Sequence, residues 1–208
     1  MADIEKRQGR YLPHWTREGG TYFVTFRLED SLPREAVGSL CEEYSQLRQT
    51  EENALRLGLN LTEIRRKKLE LRRKLEKYLD AGYGACYLAR KGCPEIMREA
   101  LDFFDGERYL LGAWAIMPNH AHVIVRPATR RLDQILQTWK RRSSREINKL
   151  VGRSGTLWLS ESFDHLIRSE EKFAGTKQYI LQNPMNAGLR NWPWTGVGKL
   201  GDARAENR

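Results

Sequence analysis

Met117-Pro118-Asn119-His120-Ala121-His122-Val123-Ile124-Val125 is the stretch whose reading decides the fold. Two of the chain's four histidines sit here, one small apolar residue apart, at the head of a β-branched run. In a strand, alternate side chains share a face, so His120 and His122 point the same way with Cα atoms about 6–7 Å apart. Two neutral imidazoles on one face can occupy two corners of a divalent cation's coordination shell. The plainer alternative is a pair of ordinary strand histidines, which an isolated His-x-His does not exclude. Upstream, Glu107 to Met117 is rich in Tyr, Leu, Ala and Trp and reads as a strand. Pro118-Asn119 is then a tight turn, and His120 to Arg126 returns antiparallel.

Working outward, the flanking segments supply the partners of this hairpin. Residues 1–19 read as polar and irregular. Thr21 to Leu28 is a strand by composition, with Tyr22, Val24, Phe26 and Leu28 on one face. Residues 34–80 carry apolar positions at spacings of three and four, interrupted by Gly58. Asn60-Leu61-Thr62-Glu63 resembles a capped restart in which Glu63 closes a capping box. The pair forms an αα-hairpin whose cations, Arg65 to Lys68 and Arg72 to Lys74, interleave with Glu63, Glu70 and Glu76, as a solvated face would. Cys93-Pro94-Glu95 opens another helix.

Arg131 to Leu150 is an amphipathic helix, with Leu132, Ile135, Leu136, Trp139, Ile147 and Leu150 expected to face inward. Its outer arc carries Lys140, Arg141, Arg142, Ser143, Ser144 and Arg145 with no acid before Glu146, the makings of a phosphate-binding surface or of a solubility face. Phe163 to Arg168 is a short strand, Ser169 an N-cap, and the next helix runs to Asn183, stopped by Pro184. The Gly-rich tail reads as loose after about residue 196.

Without the inserted helices the order is β-α-β-β-α-β, then a last helix. That is an α+β fold: a ferredoxin-like (RRM-like) split βαβ sandwich, an antiparallel sheet with helices on it. The expected division is 1–33 as N-terminal segment and first strand, 34–82 as inserted helical hairpin, 83–190 as the remainder of the domain and 191–208 as tail. On the last helix Tyr179 and Asn183 are i and i+4, so they share a face that can look onto the histidines. A tyrosine hydroxyl has a pKa near 10 and is a poor nucleophile at neutral pH, so taken singly Tyr179 reads as a ring packed on the sheet.

Of the 208 residues, 40% are hydrophobic, enough for a real core, and the net charge of +9 is unevenly placed. Residues 1–120 hold 20 Lys and Arg against 19 Asp and Glu; residues 121–208 hold 16 against 8. A basic C-terminal half favours a polyanionic partner, most simply nucleic acid. Three cysteines, at 41, 86 and 93, lack metal spacing and suit a reducing cytoplasm. No signal peptide and no membrane-spanning run is read.

His120-Ala121-His122 resembles the His-hydrophobe-His motif of the HUH endonucleases, and Met117-Pro118-Asn119-His120-Ala121-His122 is similar to the signature of the IS200-like (Y1) transposases. Leu12-Pro13-His14, Thr21 to Leu28, Leu157-Trp158, Phe163 to Arg168, and Tyr179-Ile180-Leu181-Gln182-Asn183-Pro184 with Ala187-Gly188-Leu189 resemble their REP-associated branch. The resemblance covers about residues 10–30 and 85–190 and leaves the helical insertion outside. It implies an enzyme that cleaves single-stranded DNA beside hairpin-forming palindromes through a 5′-phosphotyrosine, leaving a free 3′-hydroxyl. The tyrosine carries over onto Tyr179, the metal-binding histidines onto His120 and His122, and the third ligand onto Asn183. The implied cation is Mg2+ or Mn2+, the implied setting the bacterial cytoplasm and nucleoid, and the state a monomer or homodimer. Phosphate contacts are expected, from charge alone, at Lys140, Arg141, Arg142 and Arg145. The competing expectation is a non-catalytic single-stranded nucleic-acid-binding module of RRM-like fold. Such modules stack bases on strand aromatics, for which the corresponding strands offer Tyr109 and Trp114 but no RNP-like pattern.

Overall fold

The computed structural model describes residues 4–8, 13–17 and 19–202. In chain order it has β1 (Ile4–Gln8), β2 (Pro13–Arg17), β3 (Thr21–Arg27), α1 (Arg34–Arg56), α2 (Thr62–Asp80), a 3₁₀ turn at Tyr87–Ala89 and α3 (Cys93–Asp102). Then come β4 (Tyr109–Ile116), β5 (His120–Pro127), α4 (Leu132–Leu150), β6 (Phe163–Ile167), α5 (Glu170–Asn186), β7 (Thr195–Val197) and α6 (Lys199–Asp202). β3, β4, β5, β6 and β7 form one sheet in the order β6-β3-β5-β4-β7, with every neighbouring pair antiparallel. Setting aside β7, β3-α3-β4-β5-α4-β6 in this order is the split βαβ arrangement expected from the element pattern. No helix among the described residues is long and apolar enough to cross a membrane.

Strand alternation sorts the apolar residues into two layers. One face of the sheet gives Tyr22, Val24, Phe26 and Leu28 from β3 and its end, and Ala121, Val123 and Val125 from β5; they pack with Met97 and Leu101 of α3 and Leu132, Ile135, Trp139 and Ile147 of α4. Phe26 lies 4.9 Å from the Trp158 ring, and Tyr109 lies edge-on to Trp139 at 5.1 Å. Full burial of one such side chain is worth roughly 1.5–3 kcal/mol, so this layer holds most of the apolar stabilisation. Phe23, Ala113, Ala115 and Ile124 leave from the opposite face and meet Phe173 and Ile180 of α5 and Leu200 of α6.

Two indoles of the larger core are paired through hydroxyls, while Trp114 Nε1 is buried with no hydrogen-bond partner among the described residues. The Trp139 indole N–H donates to the Tyr109 hydroxyl (2.8 Å), which donates to the Leu101 carbonyl (2.7 Å). The Trp158 indole N–H donates to Ser143 Oγ (2.8 Å), and Ser143 donates to the Trp139 carbonyl (2.7 Å). Ser143 is therefore buried and belongs to the core, not to the outer arc of α4 on which the sequence pattern puts it, and Leu150, expected inward, is exposed at the last turn of that helix. A serine hydroxyl can turn inward by bonding the carbonyl one turn back, which periodicity does not register.

The insertion forms its own small cluster, Leu32, Leu40, Leu71 and Leu79 with Tyr44 and Leu75 beside them, and Tyr44 meets Phe163 of β6 edge-on at 6.2 Å. Three of its cations pair within the hairpin: Arg66 with Glu63 and Glu70, Lys68 with Glu51, Lys74 with Glu43. α2 starts without the expected capping box. Leu61 is its N-cap, Asn60 accepts from the Thr62 N–H (2.8 Å), and Glu63 is engaged by Arg66. The hairpin closes at its base, where the Asp30 carboxylate accepts from the Ala85 N–H (2.8 Å). Gly84, at φ +88°, passes so close that a Cβ there would lie 2.5 Å from the Asp30 carbonyl oxygen.

Three further segments differ from the sequence reading. The stretch read as irregular contains β1 and β2, paired from Ile4–Arg17 to Gln8–Pro13; Tyr11 and Leu12 lie outside the described residues. The tail read as loose supplies β7 and α6. Gly196 lies flat on Trp114, where a Cβ would sit 2.6 Å from the ring, and Gly198 lies as close to the Leu111 carbonyl. Those glycines mark close approach rather than looseness. Finally, α5 continues through Pro184 to Asn186. Proline forfeits one helix hydrogen bond, but the following N–H groups still reach back, as Ala187 does to Asn183 (2.9 Å).

Ser143→Ala is expected to destabilise the protein by about 1–3 kcal/mol, because it leaves the buried Trp158 N–H without an acceptor. Ser144→Ala, one residue on, should stay within about 0.5 kcal/mol of wild type. Urea denaturation of the two variants checks the contrast.

Candidate active site

The antiparallel register of β3 and β5 sets Thr25 opposite His122 and Arg27 opposite His120. Alternation then sends all four side chains to the face that carries Phe23 and Ile124, beneath α5. Both histidines are 1% exposed. Their Nε2 atoms lie 3.0 Å apart, with ring planes at 78°. Each Nδ1 is held from behind: His120 Nδ1 by Asn119 Oδ1 (2.8 Å), His122 Nδ1 by Thr25 Oγ1 (2.8 Å). The Asn119 amide is itself anchored, its Nδ2 donating to the Tyr83 carbonyl (3.0 Å) in the segment that leaves α2. Burial, and after it the Arg27 charge, pushes His120 down to about 3, so its ring is neutral at physiological pH.

α5 brings the tyrosine. Ser169 caps it, accepting from the Lys172 N–H (3.2 Å), and Glu170 and Glu171 complement the helix dipole in its first turn. Phe173 and Ile180 seat the helix on the sheet. Tyr179, half-buried, stands edge-on to Phe23 (6.0 Å between ring centroids) and to His122 (5.5 Å, 65°). One turn later Asn183, 1% exposed, donates from Nδ2 to the Tyr179 hydroxyl oxygen (3.3 Å). Its Oδ1 is buried with no hydrogen-bond partner among the described residues. An orphaned buried acceptor costs about 1–3 kcal/mol, which calls for a partner such as a cation. No group of three His, Cys, Asp or Glu able to hold a metal occurs among the described residues. A cation here would rest on two imidazoles and an amide oxygen.

His120, His122, Tyr179 and Asn183 thus come together on one face of the sheet. Lys140, Arg141, Arg142 and Arg145 do not join them, because α4 packs on the opposite face. Within that set the four cations differ. The Lys140 ammonium donates to the carbonyls of Leu159 (2.9 Å) and Ser160 (3.0 Å), tying down the segment before β6. Arg142 stacks on Phe103 at 3.4 Å. Arg145 is exposed and lies 3.3 Å from Glu146. Arg141 lines a groove of about 750 Å³ with Arg131, Gln137, Ser144, Trp158 and Ser160. Sequence reasoning does not single out Thr25, Asn119 or Arg131. Thr25 carries a signal even so, since it and Arg27 are the polar residues that β3 sets opposite the two histidines.

No family model matches the chain, and no curated protein matches it. Among solved structures it is similar to one described as a REP-associated tyrosine transposase bound to a REP hairpin. The identity is 16%, the alignment covers 92% of this chain and 81% of that one, and the TM-score is 0.43.

The placement of Lys140 has a pH signature. Burial is the main cause holding its ammonium down to about 8; the Glu161 carboxylate opposes this and Arg27 adds to it. An unfolded lysine titrates near 10.4. Between about pH 8 and about pH 10.4 the unfolded chain therefore binds more protons than the native one, and stability rises with pH across that window. Buried Cys93 and Tyr109, whose pKa values burial raises, oppose this rise, so urea unfolding at a series of pH values should show wild type gaining stability relative to Lys140→Met across the window.

Proposed function

We propose that this chain is a metal-dependent single-stranded DNA endonuclease and strand transferase with a single catalytic tyrosine, Tyr179. The observation that carries the reading is the convergence of His120 Nε2 and His122 Nε2, 3.0 Å apart, beneath a helix that holds Tyr179 against His122 and leaves Asn183 Oδ1 buried and unbonded. The donor set fits a divalent cation. His120 is neutral, and the Asn183 amide, with Nδ2 turned to the Tyr179 hydroxyl, presents its oxygen. His120, His122 and Asn183 would hold Mg2+ or Mn2+; two imidazole ligands suit Mn2+ better. Such a cation polarises a phosphodiester and orients its scissile oxygen.

The chain's own groups account for the rest of the chemistry. The Asn183 amide N–H stabilises negative charge developing on the phenol oxygen as its proton leaves to solvent. The phenolate oxygen attacks phosphorus, a Tyr179–phosphate bond forms, the bond to the 3′ oxygen breaks, and that oxygen takes a proton to become a free hydroxyl. One phosphodiester replaces another, so the reverse attack rejoins strands without an added energy source. Phe23, edge-on to the phenol, fixes the ring's approach to the sheet.

The groove on the opposite face, with Arg131 and Arg141 at its wall and the N-terminal half of α4 along it, suits the phosphates of a hairpin-forming palindrome. We assign it that role in place of the whole stripe Lys140, Arg141, Arg142 and Arg145, since carbonyls hold Lys140 and Phe103 holds Arg142, whereas the pair Arg131 makes with Asp133 is solvent-exposed and weak. On this reading residues 1–33 and 83–190 make one catalytic domain, and 34–82 is an insertion in it. A base-stacking module has less support. Tyr109 and Trp114 are 1% and 7% exposed in the core, and the other sheet face lies beneath α5 and α6.

Incubated with Mn2+ and a panel of single-stranded hairpin oligonucleotides, the wild type should give a protein–DNA adduct that survives denaturing electrophoresis. Tyr179→Phe should give none. Absence of an adduct from the wild type across the panel would remove the transferase reading. For the groove, Arg131→Ala with Arg141→Ala should weaken hairpin binding. Each cation removed from a phosphate should flatten the slope of log K against log salt by about 0.7–0.9. An unchanged slope would remove that assignment.

A further inference from the structure

Neither imidazole of the pair can present a bare Nε2 unless its own proton sits on Nδ1, and the groups behind the two rings differ in what they allow. Asn119 is the rigid one. Its Nδ2 donates to the Tyr83 carbonyl (3.0 Å), which accepts only, so the amide cannot flip. Its Oδ1 therefore faces His120 Nδ1 (2.8 Å) and can only accept. His120 must carry its proton on Nδ1, and its Nε2 is a lone pair.

His122 is then constrained by its neighbour. Two bare Nε2 lone pairs 3.0 Å apart would repel; with no cation between them, His122 must donate from Nε2 to His120. Its Nδ1 is then bare and accepts the Thr25 hydroxyl proton (2.8 Å). To bind a cation, His122 must present the opposite tautomer, with Nδ1–H donating and Nε2 bare. A hydroxyl serves both states by rotating, since it is donor and acceptor at once. An amide oxygen or a carboxylate would serve only the second.

We infer that Asn119 and Thr25 are the positioning residues of this site, Asn119 locking His120 in the Nδ1–H tautomer and Thr25 letting His122 change between its two. The tautomer change leaves the proton count of His122 unchanged: the Nε2 proton exchanges through solvent and Nδ1 gains one. The inference deepens the metal reading above, but its first half concerns the cation-free protein and is decided without metal.

The test has two readouts on the full chain. Long-range 15N–1H correlation spectra of the metal-free wild type should show His120 as the Nδ1–H tautomer and His122 as the Nε2–H tautomer. In Asn119→Ala the His120 assignment should lose its single tautomer. Titration with Mn2+ alone, with free Mn2+ followed by electron paramagnetic resonance, should show Thr25→Val binding about 10–100-fold more weakly than wild type. Thr25→Ser, which keeps the hydroxyl, should restore binding; a merely structural role for the methyl would not give that rescue. His120 protonated on Nε2 in the wild type, or equal Mn2+ affinity in wild type and Thr25→Val, overturns the inference. A wild type that binds no Mn2+ but shows the stated tautomers removes the metal reading and leaves the assignment of Asn119 to His120 standing.

Discussion

The pairing of β3 with β5 in one particular register is the constraint on which the site rests. It puts Thr25 behind His122 and Arg27 beside His120, while Val24 and Ala121 face the larger core. Side chains alternate with period two, so a shift of a single residue would turn the imidazoles into the apolar layer and Val123 out beneath α5. The register is held from both sides. Tyr22, Val24 and Phe26 bury against α3 and α4, and Phe23 and Ile124 bury beneath α5. The stability of the two cores and the aim of the histidines are one and the same geometric fact.

α5 shows a different balance. Its contact with the sheet is thin, chiefly Phe173, Ile180 and the Tyr179 ring. The half-buried tyrosine and the fully buried Asn183 share the same helical face. A helix seated by few side chains opens locally at lower cost than the strands beneath it. That suits a residue whose phenol must meet a phosphate, whereas the imidazoles, fixed in the central strand of the sheet, supply the rigid half.

Much of this was legible in the chain. The alternation of Thr21 to Leu28, the turn at Pro118-Asn119 and the spacing of Leu132, Ile135 and Trp139 each report a local periodicity that burial enforces, and the sheet order follows from them. The i and i+4 relation of Tyr179 and Asn183 is likewise a property of any helix. What could not be read depends on which distant group captures a polar atom. Lys140 looked like one cation in a stripe, but two carbonyls from the segment before β6 hold it. Ser143 looked exposed, but the Trp158 indole draws it inward. The glycines of the C-terminal segment looked like slack because composition does not distinguish a residue that has no neighbours from one that has no room.

That last segment has a consequence for assembly. β7 pairs Thr195 with Ala115, Gly196 with Trp114 and Val197 with Ala113, and the Trp192 indole takes the Ile116 carbonyl at 2.7 Å. From Gly112 to Ile116 the outward edge of β4 is thus taken up by the chain's own C-terminal segment, a strand three residues long with its flanks, and the Leu111 N–H before it by the Asp105 carboxylate. A second molecule finds no ladder of any length there on which to template strand addition, and the hazard that a long bare β-ribbon poses for self-association is removed on that side of the protein.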